Sequence, residues 1–134
     1  MSEAFENIKE DFEFLDDWED RYRHIIDLGK SYAALDEVLR TDVLKVEGCA
    51  SQVWLLPKIY KDRFHFIGAS DAMIVQGLIA VLAALYNDRT IEDARKINAI
   101  ESFSDLGLDQ HLSAQRSNGL RAMIARIETF LNNN

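Results

Sequence analysis

The chain has 134 residues, 48% hydrophobic and 28% charged, which suits one soluble domain over residues 1–134 with one buried core. Its formal charge of −8 excludes a general nucleic-acid binder, because a grip on phosphates needs a basic face. Its single cysteine excludes an internal disulfide and any Cys-based zinc or iron-sulfur motif built from this chain alone, and fits a reducing cytoplasm.

Met1, Ser2 and Glu3 lead into an acidic run, the reverse of the basic start of a secretory signal, so export is not expected. Residues 1–20 hold nine acids and one base, which accounts for the whole net charge and reads first as a solvated helix face. Phe5, Ile8, Phe12 and Leu15 recur at helical spacing, as do Trp18, Tyr22, Ile25 and Ile26, predicting two N-terminal helices. Asp17 is placed to cap the second, and Gly29 to stop it in a left-handed turn. Residues 30–42 then form a connector with a turn of helix.

Short β-branched and aromatic runs predict antiparallel strands at 43–47, 52–57 and 62–67, with turns at Gly48–Ser51 and Lys61–Asp62. Pro57 lacks a backbone donor and is expected to close the middle strand or mark a bulge. Ser70 is a candidate N-cap for a helix so apolar that it must be covered on most sides. Its stretch from Ala72 to Tyr86 is interrupted by Gln76 and Gly77 and falls short of the ~20 residues that span a bilayer, so no membrane anchor is expected. A weaker helix is predicted over 90–98 and a short turn over 103–108. From the N-cap Ser113 a last helix runs to about Leu131, with Leu120, Met123, Ile124 and Ile127 on one face. Helices around a small antiparallel sheet make an α+β domain.

Cys49 falls at a hairpin tip, where functional residues concentrate, although a lone cysteine more often acts as a small buried hydrophobe. Arg116 shares the stripe of Leu120 and Met123, so its guanidinium wants an anion or carbonyls, or else snorkels outward. Gly119, on the next turn, would let another segment come close. His111 is a candidate base, more often a plain loop histidine. With His24 and His65 it makes no metal site, and no phosphate loop, nucleophile elbow or dinucleotide fingerprint is present. A Cys49–His111 hydrolase would lack an oxyanion hole and an orienting third residue.

The run Val46-Glu47-Gly48-Cys49-Ala50-Ser51-Gln52-Val53-Trp54-Leu55 resembles the sulfur-acceptor loop of the SufE family. Three further stretches are similar in the same order: Trp18 to Tyr22 with Leu28-Gly29-Lys30; Ser70-Asp71 with Ile74 to Leu78; and Leu106-Gly107-Leu108 with His111-Leu112-Ser113 and Arg116 to Leu120. Many relatives carry Pro where this chain has Glu47 or Ala114, and Gln where it has Ala50.

The resemblance implies a SufE/IscU-like fold, helices packed around a three-stranded antiparallel sheet. It implies a sulfur carrier, not a free-standing enzyme. Cys49 would take a persulfide sulfur from a pyridoxal-phosphate cysteine desulfurase of the SufS type, stimulate that enzyme, and deliver the sulfur to the SufB-SufC-SufD scaffold. Gly48, Gln52, Trp54, His111 and Arg116 would support or contact the partner. No metal or resident cofactor is implied, since the pyridoxal phosphate belongs to the desulfurase. The alternative is a CsdE-like carrier serving a CsdA-type desulfurase. Self-association is left open, and a one-cysteine iron-sulfur scaffold is disfavoured because clusters draw on several thiolates.

Overall fold

The computed structural model describes residues 3–134, so Met1 and Ser2 of the expected 1–134 domain lie outside the described residues. The first helix, α1 (Glu3–Phe14), buries Phe5, Ile8 and Phe12 of the apolar set read from its spacing, while the fourth member, Leu15, lies past the helix end and is only partly buried. In α2 (Trp18–Ser31), the Asp17 carboxylate accepts the Asp20 N–H at 2.9 Å, as its capping position predicts. Gly29 corrects the expectation of a left-handed stop: it lies within α2, which ends as the Tyr32 N–H donates to the Gly29 carbonyl. A 3-10 turn, Glu37–Leu39, then sits in the connector.

Strands β1 (Val53–Tyr60) and β2 (Arg63–Ser70) form an antiparallel hairpin. Lys61 and Asp62 both have positive φ, 50° and 64°, as a two-residue mirror-image turn requires. The apolar helix α3 (Met73–Tyr86) packs on the sheet and against α2. After it come β3 (Arg89–Thr90), α4 (Ile91–Arg95), α5 (Ala99–Asp105), α6 (Leu108–His111) and the long α7 (Ala114–Asn132). One core cluster joins α1, the sheet, α3 and α7 through residues such as Phe5, Leu55, Phe66, Leu82, Met123 and Ile127.

The sheet has three antiparallel strands in the order β1-β2-β3, and the third is not the expected one. Residues 42–44 turn, and the predicted strand at 43–47 contributes only a bridge, Lys45 to Trp54. Two of its carbonyls, those of Val43 and Lys45, are bonded by Arg126 of α7 rather than by a strand. Those carbonyls face away from β1, since the Leu44 carbonyl and the Val46 N–H make the bonds to it, and the turn at 42–44 is what stops the pairing at one bridge.

Pro57 stands inside β1, opposite Phe66, rather than closing it. Phe66 turns its N–H and C=O away from β1 to the side-chain amide of Asn87, at 3.0 and 3.2 Å. Residues paired this way face outward on both strands, so the missing donor of Pro57 falls on the free edge and leaves no ladder bond unmade.

The remaining differences lie at helix starts. Ser70 ends β2 and does not cap α3, whose N-cap is Ala72. The Ser70 hydroxyl instead accepts the Ala72 N–H, and its own N–H donates to Gln76 Oε1. The turn expected at 103–108 is largely α5, started by Asn98, whose side chain accepts the Glu101 N–H at 3.1 Å. The weaker helix expected over 90–98 is the shorter α4, capped by Thr90.

Candidate functional site

Helix α7 provides the floor. Ser113 caps it by accepting the Arg116 N–H at 3.3 Å, which sets Gly119, Ala122, Met123 and Arg126 along one stripe at helical spacing. The loop between Val46 and Val53 lies over that stripe. Its base is closed by the Val46 N–H donating to the Val53 carbonyl at 2.8 Å. Its far side is held by an exchange with Asp71: the Gln52 N–H donates to the Asp71 carboxylate at 3.1 Å, and the Asp71 N–H returns to the Gln52 carbonyl.

Gly48 has φ +90°, a left-handed conformation that side chains with a Cβ resist. This turn delivers Cys49 onto α7, where its thiol donates to the Gly119 carbonyl at 3.6 Å. A Cβ on Gly119 would stand 3.6 Å from the sulfur, so the seat fits without clash. Cys49 is half-buried and opens on a cavity of about 260 Å³. Val53, Val75, Leu78 and Met123 supply apolar lining, and Ser113, Gln115 and Arg116 supply the polar part.

Burial pushes the Cys49 thiol above its ordinary pKa, and the nearby Glu47 carboxylate raises it further. The resting group is therefore a protonated thiol, consistent with its role as donor to Gly119.

The site residues read from sequence separate into two groups. Gly48, Cys49 and Arg116 come together, though Arg116 is exposed at the cavity rim rather than directed into the core. It lies one turn before the buried part of the stripe, and among the described residues it has no carboxylate partner. Gln52 acts through its backbone and is exposed.

Trp54 alternates with buried Val53 and Leu55, so its ring stands on the opposite sheet face, with the Arg40 guanidinium 5.8 Å from its centre. His111 stacks on Trp18 at 3.8 Å between ring centres and does not line the cavity, so no Cys-His pair is assembled. His24 and His65 pair with Asp11 and Asp88. Among the described residues no cluster of metal-ligating side chains occurs, and no helix is long and apolar enough to cross a membrane.

Sequence reading missed Arg126 and the anchoring role of Asp71. Arg126 bonds the carbonyls of Val43 and Lys45, at 2.8 and 3.1 Å, from 83 and 81 residues away. Its seven-residue spacing from Gly119 was the available signal, without meaning until a partner segment was known.

The description "SufE: Fe-S metabolism associated domain" matches residues 6–131. An uncharacterized SufE-like protein of Rhizobium meliloti is 46% identical over 130 residues, covering 94% of this chain and 93% of that protein. A second, from Rhizobium etli, is 48% identical over 128 residues, covering 92% and 86%. The solution structure of a hypothetical protein from Thermus thermophilus superposes with a TM-score of 0.80 at 13% identity, covering 99% and 96% of the two chains, and shares the fold.

Proposed function

This chain belongs to the SufE family, and on that premise we propose that Cys49 accepts sulfane sulfur from a cysteine desulfurase and carries it toward iron-sulfur cluster assembly. The observation that carries the reading is the setting of the only cysteine. It rests on a glycine-turned loop, seated on a backbone carbonyl at the mouth of a cavity large enough for an added sulfur atom.

The step is thiol exchange on a persulfide. The Cys49 thiolate attacks the outer sulfur of the desulfurase persulfide, and a new S–S bond forms on Cys49. The S–S bond in the desulfurase breaks, its cysteine leaves as a thiolate, and the Cys49 proton passes to solvent. The sulfane sulfur changes hands with no net oxidation. Delivery to a SufB-SufC-SufD scaffold would repeat the exchange with Cys49 as leaving group.

Attack requires the thiolate, which the resting seat disfavours. Docking would therefore have to lift Cys49 from Gly119 toward water or a cation, with Gly48 as the hinge. Arg116, a cation at the rim with no carboxylate partner among the described residues, suits contact with an acidic group of the partner or with the persulfide anion. In the resting seat the apolar cavity wall would shelter the persulfide from thiols and oxidants.

Intact mass after incubation with a SufS-type desulfurase and cysteine tests the assignment. The chain should gain one or more sulfur atoms that reductant removes, and Cys49→Ser should gain none. An active cognate desulfurase that leaves the mass unchanged would reduce Cys49 to a structural thiol.

A further inference from the structure

Arg126 has no acidic partner among the described ion pairs. Its guanidinium instead spans the carbonyls of Val43 and Lys45, the stretch leading into the Cys49 loop. A guanidinium can reach two carbonyls at once because its donors are fixed in a planar fork, and such bonds to a charged donor are stronger than neutral ones.

The same helix face holds the rest of the loop. A Cβ placed on Gly48 would meet Ala122 Cβ at 3.5 Å, and Cys49 meets Gly119. The residues 119, 122 and 126 therefore touch the loop in sequence, with Arg126 at the entrance and the thiol seat at the far end. Contact at the seat itself is weak: one thiol bond at 3.6 Å and van der Waals approach. Polar contacts at the loop's base join it to β1 and Asp71, not to α7. Arg126 supplies the charged tie between the loop and the helix that carries the seat.

We infer that Arg126 is a positioning residue for the acceptor loop: by bridging Val43 and Lys45 it keeps the loop laid along α7 and so keeps Cys49 seated on Gly119. It does not line the cavity on which the thiol opens, and it sets how often the thiol leaves its seat. The inference deepens the sulfur-carrier reading, on which its biological meaning rests, but its physical content is the opening equilibrium of one loop.

The test is the alkylation rate of Cys49 by iodoacetamide in the folded chain, without desulfurase, for the unmodified protein, Arg126→Ala and Arg126→Lys. Losing both charge-assisted bonds should speed labelling by roughly tenfold in Arg126→Ala. Arg126→Lys, a point charge able to satisfy one carbonyl well, should fall between the two. The rate-against-pH profile should move toward lower pH in Arg126→Ala as the thiol spends more time in water, and amide exchange separates this local opening from general loss of stability. Amide exchange monitored in parallel should accelerate at residues 43–49 and not in α3. Alkylation of Arg126→Ala within twofold of the unmodified chain would overturn the inference. So would equal acceleration of exchange in α3, since the effect would then be global. Because the desulfurase is absent, failure of the sulfur reading would appear separately, as an unmodified chain that gains no mass from an active desulfurase yet still shows the Arg126 effect.

Discussion

A Cβ built on Gly77 would overlap the Ile25 carbonyl oxygen, whereas one built on Gly119 would stand 3.6 Å from the Cys49 sulfur. The first contact joins α2 to α3. There Gly29 and Gly77 bring two helix backbones together with no room for a methyl group, and the nearest opposing atom in each case is backbone that cannot swing aside. The second contact joins a loop to α7, and leaves ordinary van der Waals space. One glycine pair locks two helices beneath the core, while the other glycine makes a level seat from which a side chain can lift. A short motif that includes Gly can therefore signal rigidity or release. The distances to neighbouring atoms distinguish the two.

Crowding the locked contact should do the most damage. Gly77→Ala should cost about 3 kcal/mol or fail to fold, because overpacking against backbone forces the helices apart. Urea unfolding would measure this, and a loss under about 1 kcal/mol would mean that α2 and α3 slide more easily than their separation implies.

The same change at the seat should carry the opposite sign. Gly119→Ala places its methyl group in free contact distance and removes a glycine from a helix interior, so it should stabilise by up to about 1 kcal/mol. Destabilisation beyond that would show that Cys49 is held more tightly than 3.6 Å suggests.

A weaker, electrostatic change probes the seat from its charged side. Glu47→Gln removes the secondary cause that raises the Cys49 pKa, so the pH midpoint of alkylation should fall by a fraction of a unit while remaining above that of a free thiol, since burial persists. The sign for stability follows from a raised folded-state pKa. The thiol's contribution is complete below the ordinary value of about 8.5 and is lost as pH rises through the folded value. A midpoint unmoved by Glu47→Gln would place the carboxylate too far from sulfur to act.

Local chemistry is readable where a residue acts on its own neighbours. Asp17 and Ser113 cap the helices they precede, and Phe5, Ile8 and Phe12 face inward at their helical spacing. Lys61 and Asp62 make the hairpin turn. Cys49 and Arg116 line one cavity, with Gly48 turning the loop that brings the thiol there. Trp54 and His111 lie elsewhere, because strand alternation turns one ring to the far sheet face and Trp18 captures the other.

Expectations fail where distant groups compete for the same backbone. Nothing between residues 43 and 47 reveals that the segment will make a single bridge to β1 and turn its outer carbonyls, those of Val43 and Lys45, to Arg126. Asn87 similarly serves the outward edge of Phe66 with its side chain, so a two-residue β3 completes the sheet from beyond α3. The α+β class, the helix starts at Asp17 and Ser113, the buried faces and the motif around Cys49 are all legible in the order of residues, since each depends on spacing within one turn or strand. Which segment became the third strand, that Gly29 is a contact rather than a stop, and that Cys49 rests on Gly119 emerge on folding alone, because they follow from hydrogen bonds and close approaches between residues far apart in the chain.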